Sequence, residues 1–230
     1  MTPPLDRDVI HVWRLSIATV QSVALLPLLA EDECDRAARF VFEKDRHQFV
    51  AVRGWLRRLC GDYVHEAPEA IRFSYGPAGK PALVGNGTGI DLRFNVSHSG
   101  DVALLAFSLG REIGVDIEYI DDRIDILDLS RSCFSDEEQQ SLQASAADRH
   151  LEMFFRYWTS KEAYIKALGD GLSMPLQDFT IDVRPNSSVW PIKVLEGQAK
   201  TYTVQPLSAP PGYLSAVASE GNDWTVLSCE

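Results

Sequence analysis

Arg93-Phe-Asn-Val-Ser-His-Ser-Gly-Asp-Val-Ala-Leu-Leu-Ala-Phe107, followed by Ile113-Gly-Val-Asp-Ile-Glu-Tyr-Ile120, reads as three successive strands. Arg93–Ser97 and Val102–Phe107 flank a Ser99-Gly100-Asp101 turn, which is a hairpin signal. Leu109-Gly-Arg-Glu112 makes the next turn, and Ile113–Ile120 runs on as the third strand. Residues 149–168 then follow a helical pattern, with Gly169 and Gly171 as stops. A strand block feeding a long helix in one segment predicts an α+β fold.

Working outward, residues 10–17 alternate as a strand, with His11, Trp13, Leu15 and Ile17 on one face. Residues 31–42 read as a helix, and a second helix runs from about 44 to 60. Its buried stripe is Phe49, Val52, Leu56 and Leu59, while Arg46, Arg53 and Arg57 share another face and Gly61 is the expected stop. Ile71–Tyr75 is a strand, and Gly76 to Pro81 is a loop. Ser135 with Glu138 has capping-box spacing and should open a helix. From about 179 short strands alternate with Pro, Gly and Asn turns: 179–183, 189–194, 201–205, 214–218 and 225–229. Each half offers a strand, a helical pair and a strand-rich stretch, with no residue-level repeat. The expected boundary lies near Gly110–Gly114, giving units 1–112 and 113–230.

The 230 residues suit one large domain or two of roughly 110. Hydrophobic residues make up 45% and charged residues 24%, an ordinary soluble composition. No apolar run approaches the ~20 residues of a membrane span, and Val23–Ala30, broken by Pro27, does not read as a secretion signal. Cysteines 34, 60, 133 and 229 make no CxxC pair, which argues against a zinc site or disulfide framework and suits reduced thiols in the cytoplasm. The net charge of −11 argues against nucleic acid as a partner. Basic residues are concentrated between 44 and 58, where a local anion could bind.

Asp116 and Glu118 are i and i+2 on a strand, so they share a face while Val115, Ile117 and Tyr119 take the other. Paired carboxylates attract a hard cation such as Mg²⁺, or Mn²⁺ in its place. Taken alone, the pair fits a solvated strand face equally well. In Trp158-Thr-Ser-Lys-Glu-Ala-Tyr-Ile-Lys166, Glu162 neighbours both Trp158 and Lys166 at i±4. That pair is either a surface ion pair or a base beside a phosphate-directed cation. Ser97, His98 and Ser99 at a hairpin tip are donors suited to phosphate oxygens. Ser97 and His98 point to opposite faces, which disfavours a Ser–His nucleophile. Lys80, between Gly79 and Pro81, is a stiffened loop lysine. There is no Walker A loop and no GxGxxG.

In this order, Gly79-Lys80-Pro81, the Ser-His tip, Gly114-Val-Asp-Ile-Glu118 and the Trp-x-x-Lys-Glu-x-x-x-Lys helix resemble the Sfp-type 4′-phosphopantetheinyl transferases over roughly 79–172. The resemblance implies two similar α+β halves related by a pseudo-twofold axis, with the active site in the cleft between them. It implies transfer of the phosphopantetheine arm of coenzyme A to a serine of an apo acyl or peptidyl carrier protein, releasing adenosine 3′,5′-bisphosphate. By the same resemblance Asp116, Glu118 and Glu162 hold Mg²⁺, Glu162 is the general base, and Lys166 stabilises or protonates the departing phosphate with Lys161 adding charge nearby. Ser97 and His98 contact the phosphates, Gly79, Lys80 and Pro81 line the adenine region, and Arg36, Arg46 and Arg53 are candidates for the 3′-phosphate. Many members carry arginine where Gln48 stands, so that charge must come from elsewhere. Fused halves make a monomer sufficient. Carrier partners in this family are small and acidic, so docking on an acidic chain falls to a local basic or apolar patch. A metal-dependent phosphohydrolase using the same carboxylates, and a non-catalytic coenzyme A-binding module, are the competing readings.

Overall fold

The computed structural model describes residues 2–77, 79–85, 88–169, 174–184, 187–194 and 201–230. The chain runs β1 (Val9–Ser16), α1 (Glu31–Ala38), α2 (Glu43–Val64), β2 (Phe73–Tyr75), β3 (Pro81–Leu83), β4 (Leu92–Ser99), β5 (Val102–Leu109) and β6 (Ile113–Tyr119). It continues with α3 (Ile126–Cys133), α4 (Asp136–Ala144), α5 (His150–Leu168), β7 (Phe179–Ile181), β8 (Trp190–Val194), β9 (Tyr202–Leu207), β10 (Tyr213–Glu220) and β11 (Thr225–Cys229). The α+β class read from the sequence is the class observed.

Two sheets face each other. One has the order β11-β1-β5-β4 and the other β6-β10-β9-β8-β7, with β2–β3 a separate hairpin. The strand period of two sorts each strand's side chains between layers. On β5, Ala103, Leu105 and Phe107 pack under α2 with Leu56, Leu59 and Val64, whereas Val102, Leu104 and Ala106 meet Val115, Ile117 and Val217 of the second sheet. The opposite face of the second sheet is covered by α5 through Tyr164, Ile165, Ala216 and Ala218. The layers are therefore helix, sheet, sheet, helix.

Several expected boundaries move. Helix α2 does not stop at Gly61 but runs to Val64 and ends at His65, in the left-handed region at φ 58°. Gly61 serves close packing instead, because a Cβ there would lie 2.6 Å from the Glu66 carbonyl oxygen. Arg57 is buried, with its Nε donating to Glu33 Oε2 at 2.5 Å, so α1 is tied to α2 by charge. The Ser135–Glu138 capping box forms as expected. Helix α5 ends at Gly169, at φ 79°, as expected; Gly171 lies outside the described residues. The short helix α3 was not anticipated. Tyr119 does not join the core; it is exposed, edge-on to Tyr213.

Candidate active site

The site forms where the edge strands of the two sheets, β4 and β6, abut. No backbone ladder joins them. Side chains do the stitching, one every second residue of β4. Asn95 Oδ1 accepts from the Val115 amide at 2.9 Å, Ser97 Oγ donates to Asp116 Oδ1 at 2.8 Å, and Ser99 Oγ donates to Glu118 Oε2 at 2.9 Å. The Tyr119 amide donates back to Ser99 Oγ at 3.0 Å. The bonds to the Val115 and Tyr119 amides satisfy backbone donors on the edge of β6.

Helix α5 lies on the same face of β6 as Asp116 and Glu118. Its approach depends on Gly114, where a Cβ would stand 2.0 Å from the Ala163 carbonyl oxygen and 2.3 Å from the Ala167 nitrogen. At that distance Lys166 Nζ donates to Asp116 Oδ1 at 2.6 Å and to Ser97 Oγ at 3.0 Å. Trp158 Nε1 donates to Glu118 Oε1 at 3.4 Å. Asp116 is buried, and its Oδ2 has no hydrogen-bond partner among the described residues. Glu162 is half-buried and makes neither hydrogen bond nor ion pair among the described residues.

These carboxylates repel one another. Burial first, then the charge of Asp116, pushes Glu118 above its ordinary value; the hydrogen bonds from Ser99 and Trp158 and the charge of Lys166 oppose this. Glu162 is likewise pushed up by burial, against the pull of Lys166 and with the push of Asp116 and Glu118. His98, at the rim, accepts from Gln48 Nε2 at 2.6 Å through Nδ1. Loss of solvent and the nearby Lys166 charge lower its pKa, and the neutral ring is the form that can accept from an amide.

The orphaned buried oxygen of Asp116, whose charge also raises Glu118 and Glu162, suits a hard divalent ion in donor chemistry, although the three carboxylates are not drawn into a formed cluster. Among the described residues no three His, Cys, Asp or Glu side chains stand grouped to hold a metal ion. The Lys166 ammonium supplies the positive charge beside Asp116.

The structure thus brings together Ser97, His98, Asp116, Glu118, Glu162 and Lys166. It takes Lys161 elsewhere. That side chain is fully buried on another face of α5, donating to Glu138 at 2.7 Å and to the carbonyls of Leu176 (2.6 Å) and Phe179 (2.7 Å). Five residues at about 100° each carry it some 140° around the helix from Lys166, so its charge is spent on packing. Lys80 is also engaged, with its ammonium donating to the carbonyls of Lys166 at 2.7 Å and Ile113 at 3.1 Å. Gly79 is exposed in the turn before it, at φ 76°, and Pro81 opens β3. Arg53 faces Glu33 at 3.5 Å and stacks on Phe73; Arg36 lies over Phe49; Arg46 pairs with Glu43 at 3.4 Å. None of the three arginines joins the carboxylates. Asn95 is a site residue that the sequence reading did not single out; Ser99, Trp158 and Gln48 were named there, but not for the bonds they make here to Glu118 and His98. The polar period-two run Asn95, Ser97, Ser99 inside an apolar hairpin was the available signal.

A model of the 4′-phosphopantetheinyl transferase superfamily matches residues 112–218, and one described as 4′-phosphopantetheinyl transferase, N-terminal, matches residues 13–109. The 4′-phosphopantetheinyl transferase HetI of Nostoc sp. is 35% identical over 219 residues, covering 94% of this chain and 90% of the relative. The chain belongs to the 4′-phosphopantetheinyl transferase superfamily. Another relative is the 4′-phosphopantetheinyl transferase Sfp of Bacillus subtilis, 28% identical over 86% of this chain and 85% of its own length. The human L-aminoadipate-semialdehyde dehydrogenase-phosphopantetheinyl transferase is 28% identical over 75% of this chain and 56% of its own. A crystal structure of Thermotoga maritima holo-[acyl-carrier-protein] synthase aligns over 47% of this chain and 62% of that one, at a TM-score of 0.39 and 18% identity. In this phosphopantetheinyl transferase family member the N-terminal match ends at residue 109 and the superfamily match begins at 112, across the turn between β5 and β6. The junction built by Asn95, Ser97 and Ser99 therefore joins the two matched segments.

Proposed function

We propose that this chain moves the 4′-phosphopantetheine arm of coenzyme A onto a serine hydroxyl of an apo carrier protein, with adenosine 3′,5′-bisphosphate as the other product. The observation that carries the proposal is the meeting of Asp116, Glu118, Glu162 and Lys166 at one sheet junction in a member of this family. Asp116, Glu118 and Glu162 are the residues that would hold Mg²⁺, which when bound supplies charge neutralisation at the pyrophosphate. Glu162 takes the proton as the serine Oγ–phosphorus bond forms and the pyrophosphate P–O bond breaks. Burial raises its pKa in the metal-free protein; a bound Mg²⁺ would draw it back down, so positioning beside the serine supplies much of its effect as a base. Lys166, within reach of Ser97 and Asp116, balances the charge left on the departing phosphate. Ser97 and His98 orient the donor's phosphates. Gln48 holds Nδ1 of His98 as an acceptor, which leaves the proton of the neutral ring on Nε2.

The test is intact mass. Incubation with coenzyme A, Mg²⁺ and an apo acyl carrier protein should add one phosphopantetheine to the carrier. Coenzyme A cleaved at the same rate without any carrier would instead mark a hydrolase, and binding without turnover would mark a non-catalytic module.

A further inference from the structure

Lys80 stands in the turn of the β2–β3 hairpin, on a backbone fixed at both ends. Its carbonyl accepts from the Gly76 amide at 3.0 Å, and the next residue, Pro81, pairs with Tyr75. From this base the side chain crosses to the second matched segment. The ammonium donates to the carbonyl oxygens of Lys166 at 2.7 Å, Ile113 at 3.1 Å and Ala167 at 3.4 Å, with Glu112 Oε2 at 3.6 Å. An ammonium has three donors, and here three main-chain oxygens converge on it.

Two of those oxygens belong to the last turn of α5. A helix ends with carbonyls that no later amide of its own answers. The Gly169 amide takes that of Ile165, and Lys80 takes those of Lys166 and Ala167. A cation here also meets the negative end of the helix dipole. The third oxygen, that of Ile113, opens β6, the strand of Asp116 and Glu118. One side chain therefore clamps the end of α5 to the start of the carboxylate strand.

The clamped turn carries Lys166, whose own Nζ reaches Asp116 at 2.6 Å and Ser97 at 3.0 Å. That ammonium ends a flexible four-carbon stem, so its reach depends on where the backbone of this turn is held. The preceding turn is secured without Lys80. Tyr164 and Ile165 are buried in the core, and Gly114 admits the Ala163 carbonyl. Lys80 thus governs the placement of the final turn and not the existence of the helix.

We infer that Lys80 is a positioning residue for the transfer: by capping the end of α5 against β6 it holds Lys166 at Asp116 and Ser97, and it acts through Lys166 without touching the donor. This rests on the transfer reading above. It replaces the expectation that the Lys80 side chain lines the adenine region, since its three donors already have main-chain acceptors.

Steady-state kinetics with coenzyme A, Mg²⁺ and an apo acyl carrier protein test it. Lys80→Met keeps the stem and removes the donors. It should lower kcat about tenfold or more, because small displacements of a reacting group are costly, with KM for coenzyme A within about twofold. In a Lys166→Met background the same change should lower kcat by less than about twofold, since no ammonium is left to aim. Lys80→Arg keeps a cation and part of the donor set. It should lose about threefold in kcat, again only where Lys166 is present, and it carries the test if thermal melting shows Lys80→Met unfolded. A rise in coenzyme A KM with kcat unmoved would return Lys80 to the adenine. Equal losses with and without Lys166 would make the clamp structural alone, and unaltered kcat in the folded variants would leave it no role. Each of these overturns the inference while transfer stands. No mass gain on the carrier with the unaltered chain removes the transfer reading, and this role with it.

Discussion

Lys161 and Lys166 stand on one helix, each against a carboxylate, and their surroundings differ in kind. Around Lys161 every polar group is answered. The ammonium has Glu138 and two carbonyls, and Glu138 in turn accepts from the amides of Ser135 and Ile181. Around Lys166 the accounts stay open. Asp116 keeps a buried oxygen without a hydrogen-bond partner among the described residues, and Glu118 and Glu162 are held above their ordinary pKa. A closed polar network fixes structure, whereas an open one of similar composition retains free valence for a ligand.

The sharpest way to break this contrast is at the closed end. Lys161→Ala leaves Glu138 buried and uncompensated and should cost about 3–5 kcal/mol of stability, read by urea denaturation. The double change Lys161→Met with Glu138→Leu should recover much of it. Next, Glu162→Ala at the open end should leave the fold intact while transfer falls at least about 10²-fold, measured by mass gain on the carrier. Near-normal transfer would remove Glu162 from the chemistry. Asp116→Ala should raise the Mg²⁺ concentration for half-maximal rate about tenfold or more; an unchanged Mg²⁺ titration rejects its assigned role.

The smallest effect has the opposite sign. The folded state raises the Glu162 pKa, so it favours the neutral carboxyl. That contribution is present in full below the unfolded value of 4.5 and is lost as pH rises through the raised folded value. Ionised Glu162 therefore costs stability at neutral pH. Glu162→Gln should stabilise the protein at pH 7 in divalent-free buffer, by under about 1 kcal/mol, and the gain should vanish near pH 4. Thermal melting at the two pH values checks this. A loss at pH 7 would show Glu162 to be a packed member of a closed network like Glu138.

Local pattern carried most of the elements. Alternation placed β1, β4, β5 and β6, and capping residues placed α4 and the end of α5. What failed depended on distant partners. Gly61 looks like a stop in sequence, but its role is set by Glu66 folding back over it. Arg57 looks solvent-facing until Glu33 of α1 arrives. In the site, period put Asp116 and Glu118 on one face of β6 and Glu162 beside Lys166, while their joint role was read only from the family resemblance. Lys161 was misplaced because nearness along the chain was read as nearness in space. Gln48 was read as a missing charge, and its bond to His98 needed the packing of α2 on β4.

The first sheet is completed by the last strand. β11 lies parallel to β1, pairing Val9 with Thr225 and Trp13 with Cys229. A nascent chain emerging from the ribosome can thus assemble β4 and β5 against β1 long before β1's other edge is covered. Until β11 pairs with it, that edge offers bare amides and carbonyls to any extended stranger. Pairing across so long a stretch of chain is intrinsically slow and leaves the part synthesised first exposed in the meantime.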